Sequence, residues 1–441
     1  MKLKNVSSLW WLHPLSTIIL AVSPFVIGGH LMSGYDFDEL WKTQKYFTRD
    51  SAIVEIVFFL AIAAGVYLSR LIPSIGRTRE ISQSNPTRLK WLFIISATLT
   101  FLGYLLWAGY SYYLGIRFSD VWAILCGSPG AIYRIRNTGG TLSGVSTATQ
   151  FGMSAMIFGV MLARQIGWRR VGPVLCILLF LAMARGILWS ERLALIELSV
   201  PLFVLLAQTY VTRLSSALRQ LVVLTPLLTA SGLYLYFTVS EYFRSWTSHY
   251  STMGMSIWYF SWTRLSGYYI TALNNGALSF HELGTLPAPF TTFEWFWKFP
   301  LVSAFFPYDR VFGTDPRAYE DSLKEFANPE FNNPSGIFPY ASDFGVIGSV
   351  FFWLVVGFAV GKCYTSFRKG GIGGTLFYPL LYISLLEMAR VCYLTSARSS
   401  PSWFMLFVGF CILPRRASVV RQIAKHVPNL LPRRIASPRV G

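Results

Sequence analysis

Residues 171–211, VGPVLCILLFLAMARGILWSERLALIELSVPLFVLLAQTYV, decide the fold class. Two apolar runs, 171–189 and 193–211, flank the polar turn Ser190-Glu191-Arg192. Each has the roughly 20 residues that an α-helix needs to cross about 30 Å of hydrocarbon. Inside lipid a helix satisfies every backbone N–H and C=O within its own segment, which an open strand or loop cannot do. The stretch therefore predicts a helical hairpin that crosses a membrane twice.

Working outward, apolar stretches of spanning length recur at about 10–33, 52–69, 91–115, 147–163, 220–240, 345–361, 372–393 and 401–414. With the central pair they make about ten transmembrane helices in an all-α polytopic membrane protein, a single membrane domain over 1–441. Composition agrees: 53% of the 441 residues are hydrophobic, 13% are charged, and mean hydropathy is +0.47. A soluble domain of this size needs more charge to cover its surface. Lys2 and Lys4 before the apolar run from Trp10 suggest a secretory signal. The run continues past Met32, however, and Pro24 stands where a small-residue cleavage site is wanted, so it reads as an uncleaved first span.

Charge sets the orientation. The N-terminus, segments 70–90, 164–170, 212–219 and 362–371, and the basic tail 415–441 hold 22 of the 38 Lys and Arg and one acid, Glu80. Their balance is +21; the remaining 16 bases and 19 acids give −3, which together make the +18 of the chain. This asymmetry puts those segments and both termini in the cytoplasm. It also explains the pI of 9.8 without nucleic acid, since anionic headgroups suit Arg415, Arg416, Arg421, Lys425, Arg433 and Arg434. The expected location is a bacterial inner membrane, with one large helical periplasmic loop over 241–344. Within that loop Met253–Leu273 and Phe293–Phe306 read as interfacial or re-entrant helices, because Arg264 and the dense Trp and Tyr suit headgroups. Cys126, Cys176, Cys363, Cys392 and Cys411 show no CxxC and read as packing residues.

Outside, arginine dominates the bases: Arg49, Arg117, Arg134, Arg136, Arg192, Arg244, Arg264, Arg310, Arg317 and Arg398. Its fork binds phosphate or carboxylate oxygens in pairs, so these residues are either anion ligands or partners of the external acids. Arg185 and Arg390 fall in the outer ends of spans, where a charge faces a cavity, finds a partner or snorkels. Ser190 is a candidate N-cap for the sixth span, and a helix N-terminus beside Arg192 makes an anion site. The alternative is a capped turn in which Glu191 neutralises Arg192. Glu197 and Glu387 lie in spans six and nine, as functional acids or as structural partners, Glu387 with Arg390 at i,i+3.

The stretch Phe331-Asn-Asn-Pro-Ser-Gly-Ile-Phe-Pro-Tyr-Ala-Ser-Asp343-Phe-Gly-Val-Ile-Gly348, running into Gly357 and Gly361, resembles the O-antigen (Wzy-type) oligosaccharide repeat-unit polymerases. In that family an external loop ends in Asp-Phe-Gly-x-x-Gly before a glycine-bearing span, and Ser190-Glu191-Arg192 is similar to its arginine-bearing start of a mid-chain span. The resemblance implies transfer of a glycan from undecaprenyl pyrophosphate to a sugar hydroxyl of a second lipid-linked repeat, with the active site facing the periplasm. No cofactor or metal is implied, because the phosphoglycosyl bond carries the activation. Gly370–Gly374 accordingly lacks the Lys-Ser/Thr of a nucleotide-binding loop. Arg192 with Arg185, Arg390, Arg398 and Arg264 would hold substrate. Asp343 would be the base, or alternatively an N-cap of span eight, and Asn333 would bind sugar. Partners implied are undecaprenyl-pyrophosphate-linked oligosaccharide, membrane lipids and, as a further candidate, a polysaccharide chain-length regulator.

Three alternatives differ in chemistry. Asp36-Phe37-Asp38-Glu39 has a D-x-D spacing that suits a metal-dependent polyprenyl-phosphate glycosyltransferase, or a solvated acidic turn. His249 or His281 in the long loop would suit an O-antigen ligase. Arg185, Glu197, Glu387 and Arg390 could line the path of a lipid-linked oligosaccharide transporter.

Overall fold

The computed structural model describes residues 9–73, 84–126, 128, 130–138, 145–188, 191, 193–211, 214–250, 254–282, 284–315 and 318–413. Helix makes up 79% of the described residues, and no strand occurs among them. A 3-10 turn, Trp10–Leu12, leads into α1 (Pro14–Ala21) and α2 (Ser23–Leu31), which break at Val22. Then come α3 (Gly34–Trp41), α4 (Arg49–Leu71), α5 (Pro86–Tyr113), α6 (Phe118–Leu125), α7 (Ala131–Thr138) and α8 (Val145–Ala148). The middle of the chain forms α9 (Phe151–Ile166), α10 (Trp168–Leu188), α11 (Leu193–Tyr210), α12 (Ser216–Val223) and α13 (Thr225–Glu241), followed by a π-helical stretch, Tyr242–Tyr250. The long loop contains α14 (Ile257–Glu282), α15 (Glu294–Trp297), α16 (Pro300–Phe305), α17 (Tyr308–Phe312) and α18 (Ala318–Phe326). The chain ends in α19 (Pro339–Arg368), α20 (Ile372–Leu386) and α21 (Ser400–Ile412).

Six described segments are long and apolar enough to cross a membrane: Pro14–Leu31, α4, α5, α10, α11 and α19. Large apolar side chains such as Leu60, Leu105, Phe180, Phe351 and Phe404 stand exposed on these and neighbouring helices, as a lipid-facing surface requires. Shorter apolar helices, α9, α20 and α21, lie among them. α9 is central: every residue from Gly152 to Ala163 is buried, and α5, α10, α11, α20 and α21 all pack on it.

The tightest pair is α4 with α19. Gly65 meets the backbone of Leu354 and Phe358, Gly357 meets Ile62, and Gly361 meets Ser69. Numbers rise together along both helices, so the pair is parallel. Ala61, Gly65 and Ser69 on one side and Gly357 and Gly361 on the other sit at four-residue spacing, the pattern that lets backbones approach where lipid offers no hydrophobic drive.

Contacts define two ends of the bundle. At one, the basic end, Arg70 meets His13, Arg164 and Phe367 share Gln208, and the Leu413 carbonyl accepts from Asn85 N at 3.0 Å. His13 is pushed down to about 4 by burial, assisted by the charges of Arg70 and Arg368. At the other, the loop end, lie α3 and α14 to α18. α14 lies across this end: Tyr234 of α13 donates to the Trp258 carbonyl at 2.7 Å, and at the far end of α14 His281 sits 3.2 Å from Ser51 of α4.

Several sequence boundaries shift. The 220–240 stretch is broken at Leu224. Of the Met253–Leu273 stretch, residues 257–273 fall in a longer helix, α14, whose residues 270–279 are buried, while Met253 lies outside the described residues. Phe293–Phe306 splits into α15 and α16 because Pro300 has no N–H to continue the first. Most consequential, 372–393 is helical only to Leu386, so Arg390 lies outside a helix. The basic tail 415–441 lies outside the described residues.

Gly357→Val would drive a side chain into the Ile62 carbonyl, 2.2 Å from an added Cβ. It should cost about 1–3 kcal/mol or more by overpacking. The thermal unfolding midpoint in detergent should fall accordingly, while Gly109→Ala, with nothing within 4 Å, should leave it unchanged.

Candidate functional site

α20 and α21 are 15 and 13 residues long, too short at 1.5 Å per residue to cross about 30 Å of hydrocarbon. Residues 387–399 between them are not α-helical and are mostly buried. Backbone of this kind is tolerated at membrane depth only where protein or a cavity encloses it. Here the protein supplies its partners. Gly336 N donates to the Met388 carbonyl at 3.0 Å, Trp403 Nε1 to the Tyr393 carbonyl at 2.9 Å, and Ala397 N to Glu294 Oε2 at 2.9 Å. Gly336 is required: an added Cβ would lie 2.6 Å from the Met388 carbonyl. The Phe331–Gly348 stretch thus packs directly on this segment.

Each arginine on or beside the segment is matched with a glutamate. Arg398 forks onto Glu197, Nε to Oε1 at 2.6 Å and Nη2 to Oε2 at 3.2 Å, and Tyr393 donates to the same Oε1 at 2.7 Å. Arg390 pairs with Glu387 at 2.9 Å and lies over the Tyr269 ring. Arg185 pairs with Glu191, donates to Thr149 Oγ1 at 2.5 Å and lies over Trp107. Glu191 Oε2 is shared: Arg398 Nη2 approaches it to 3.9 Å. Two guanidiniums therefore converge on one buried oxygen of a partly exposed glutamate side chain. Glu197, by contrast, is buried and holds Arg398 in position.

Beside residues 391–396 opens a cavity of 620 Å³. Its wall includes Glu294, Lys298, Asn332, Tyr340, Thr395 and Ser396. Glu294 joins the two halves of the site, since it lines the cavity, takes Lys298 Nζ on Oε1 at 2.7 Å, and holds the Ala397 amide next to Arg398. Among the described residues no group of three or more His, Cys, Asp or Glu is arranged to hold a metal.

The residues singled out in the sequence divide. Arg185, Arg390 and Arg398 come together around 387–399. Arg192 and Ser190 lie outside the described residues. Arg264 belongs to a separate cluster, where Glu241 at 3.0 Å and Glu330 flank it beneath Phe260, Tyr268 and Phe331. Burial opposes its charge, but those two glutamates more than offset this and hold its pKa above the usual arginine value. Asp343 is no N-cap: it sits inside α19, just before the break at Gly345, whose φ of 66° favours a residue without Cβ. Its carboxylate accepts four hydrogen bonds, from Phe290 N, Thr291 N, Thr292 N and Thr292 Oγ1 at 2.6–3.0 Å, and so fastens the loop over the cavity. Asn333 gives its carbonyl to Asn275, and Asn332 rather than Asn333 is among the cavity-lining residues. Asp36 closes a capping box with Ser33, whose hydrogen bonds hold its carboxyl below the usual range. His281 is exposed and bonded to Ser51.

No family model, no curated protein and no solved structure matches this chain. The site's own chemistry therefore has to carry its interpretation. Sequence reasoning missed Glu294, Tyr393 and Thr149, because short loop helices and helix ends carry no periodic signal that would orient them.

Glu197→Ala should leave Arg398 without its buried counter-charge and lower stability by about 1–3 kcal/mol, allowing for partial exposure of the arginine. Arg398→Ala in the same background should restore part of the loss. A double-mutant cycle of thermal unfolding midpoints should give a coupling of at least about 0.5 kcal/mol.

Proposed function

We propose that the chain is a glycosyltransferase that polymerises oligosaccharide repeat units carried on undecaprenyl pyrophosphate, of the O-antigen polymerase kind, in a bacterial inner membrane. The observation that carries this reading is the enclosed non-helical segment 387–399, which sets Arg390 and Arg398 beside Arg185 and next to a sugar-sized cavity. The six segments long and apolar enough to cross, Pro14–Leu31, α4, α5, α10, α11 and α19, support a membrane enzyme; with the shorter α9, α13, α20 and α21 they make the ten passes of this reading, alternating between the basic end and the loop end. The basic end then faces the cytoplasm by the positive-inside rule, and the loop end faces the periplasm.

In this reading the donor pyrophosphate displaces Glu191 and takes the forks of Arg185 and Arg398, with Arg192 close by in sequence. The acceptor sugar occupies the cavity under the loop that Asp343 fastens. The acceptor hydroxyl oxygen forms a bond to the donor anomeric carbon, and the bond from that carbon to phosphate breaks. The electron pair leaves with undecaprenyl pyrophosphate, stabilised by the arginines. The hydroxyl proton goes to a carboxylate. Glu294 is the better placed candidate, because it lines the cavity and adjoins Ala397, whereas all the hydrogen bonds of Asp343 are committed to the loop. Such positioning asks nothing of a nucleotide.

The test is chain growth from purified lipid-linked repeat in proteoliposomes. Glu294→Gln, which keeps the shape, should slow chain growth by about 10²–10⁴-fold, the range of general-base catalysis. Arg398→Lys should recover less than a tenth of wild-type polymer, because a single ammonium cannot fork. Wild-type ladders in both variants would refute the assignment.

A further inference from the structure

One buried acid among the described residues, outside the site described above, has no ion-pair or hydrogen-bond partner. Glu55 of α4 is fully buried, and neither carboxyl oxygen has a hydrogen-bond partner. The register of the α4–α19 pair, with Ile62 at Gly357 and Gly65 at Leu354 and Phe358, places Glu55 level with residues 347–350. There α19 turns inward Ser349 and, one turn further on, Trp353. The Ser349 hydroxyl and the Trp353 indole N–H are likewise buried without partners.

The charged and titratable groups facing this position are few. Between Asp343 and Lys362, α19 has none. α1 has none, α2 offers only His30, and α4 itself carries Arg49 and Asp50 at its first turn. From α14 comes His281. Among the described residues no cation pairs with Glu55, and an ionised, unpaired carboxylate in such surroundings is far costlier than the neutral acid.

A path leads outward from it. Ser51 is one helical turn before Glu55 on the same face, and helical side chains lean back toward their N-terminus, so Ser51 is the hydroxyl on the side of α4 from which the carboxyl is reached, although no hydrogen bond joins the two in this structure. The Ser51 hydroxyl is fully buried, lies 3.3 Å from Thr48 Oγ1, and sits 3.2 Å from Nε2 of His281. His281 itself is exposed at the loop end. We infer that Glu55 is a proton-binding site inside the membrane-embedded α4–α19 pair, loaded and unloaded from the loop end through Ser51 and His281. In release, the Glu55 side chain first turns to hydrogen-bond Ser51; its O–H then gives its proton to Ser51 Oγ as the Ser51 hydroxyl proton passes to His281 Nε2, and the imidazolium returns a proton to water from Nδ1. One proton moves, and no electron does.

This inference is independent of the transferase reading and is tested without activity. Infrared spectra of the purified protein in liposomes at neutral pH should contain a protonated-carboxyl C=O band that Glu55→Gln, an isosteric change, removes. On transfer to deuterated buffer that band should shift, and the shift should slow by about tenfold or more in both Ser51→Ala and His281→Ala. Survival of the same band in Glu55→Gln would overturn the site. Wild-type exchange in either Ser51→Ala or His281→Ala would overturn the path.

Discussion

The structure depends on one constraint: a backbone that leaves the helix at membrane depth must find every hydrogen bond inside the protein. Residues 387–399 meet it through Gly336 and Glu294 from the long loop, Trp403 from the following helix and Ser399 within the segment itself. That requirement explains why the long loop folds back into the bundle rather than standing free. It also explains why glycine is needed at 336, where the loop backbone touches the segment.

Charge burial follows from the same arrangement. A helical span at 387–399 would have pointed some of its side chains at lipid; the enclosed segment points Arg390, Tyr393 and Arg398 at Glu387 and Glu197. Pairing one arginine with one glutamate keeps the cluster close to neutral while it is empty. The weakest link is Glu191, which holds Arg185 directly and Arg398 only at 3.9 Å and is partly exposed. An anion with more oxygens than a carboxylate could satisfy both forks better than Glu191 does.

Much of this was legible in the sequence, because lipid leaves few choices. The apolar runs become helices, and the i,i+3 spacing of Glu387 and Arg390 becomes an ion pair. The end of α20 was not legible: Glu387 and Arg390 stand at the i,i+3 spacing of a helical pair, with no Gly or Pro at 387–393 to stop the helix, and tertiary partners decide that it stops. Asp343 was misleading for a related reason. An acid near a helix start suggests a cap, but the break at Gly345 turns that residue toward the 290–292 amides, which the sequence places some fifty residues away. Glu294 was invisible because its position depends on that same loop.

The two regions of buried acid make opposite use of desolvation. Around 387–399 each carboxylate is given a guanidinium, so charge is kept and a site for an anion results. Between α4 and α19, among the described residues, Glu55 has no hydrogen-bond partner on either oxygen. Burial without a partner favours the uncharged acid.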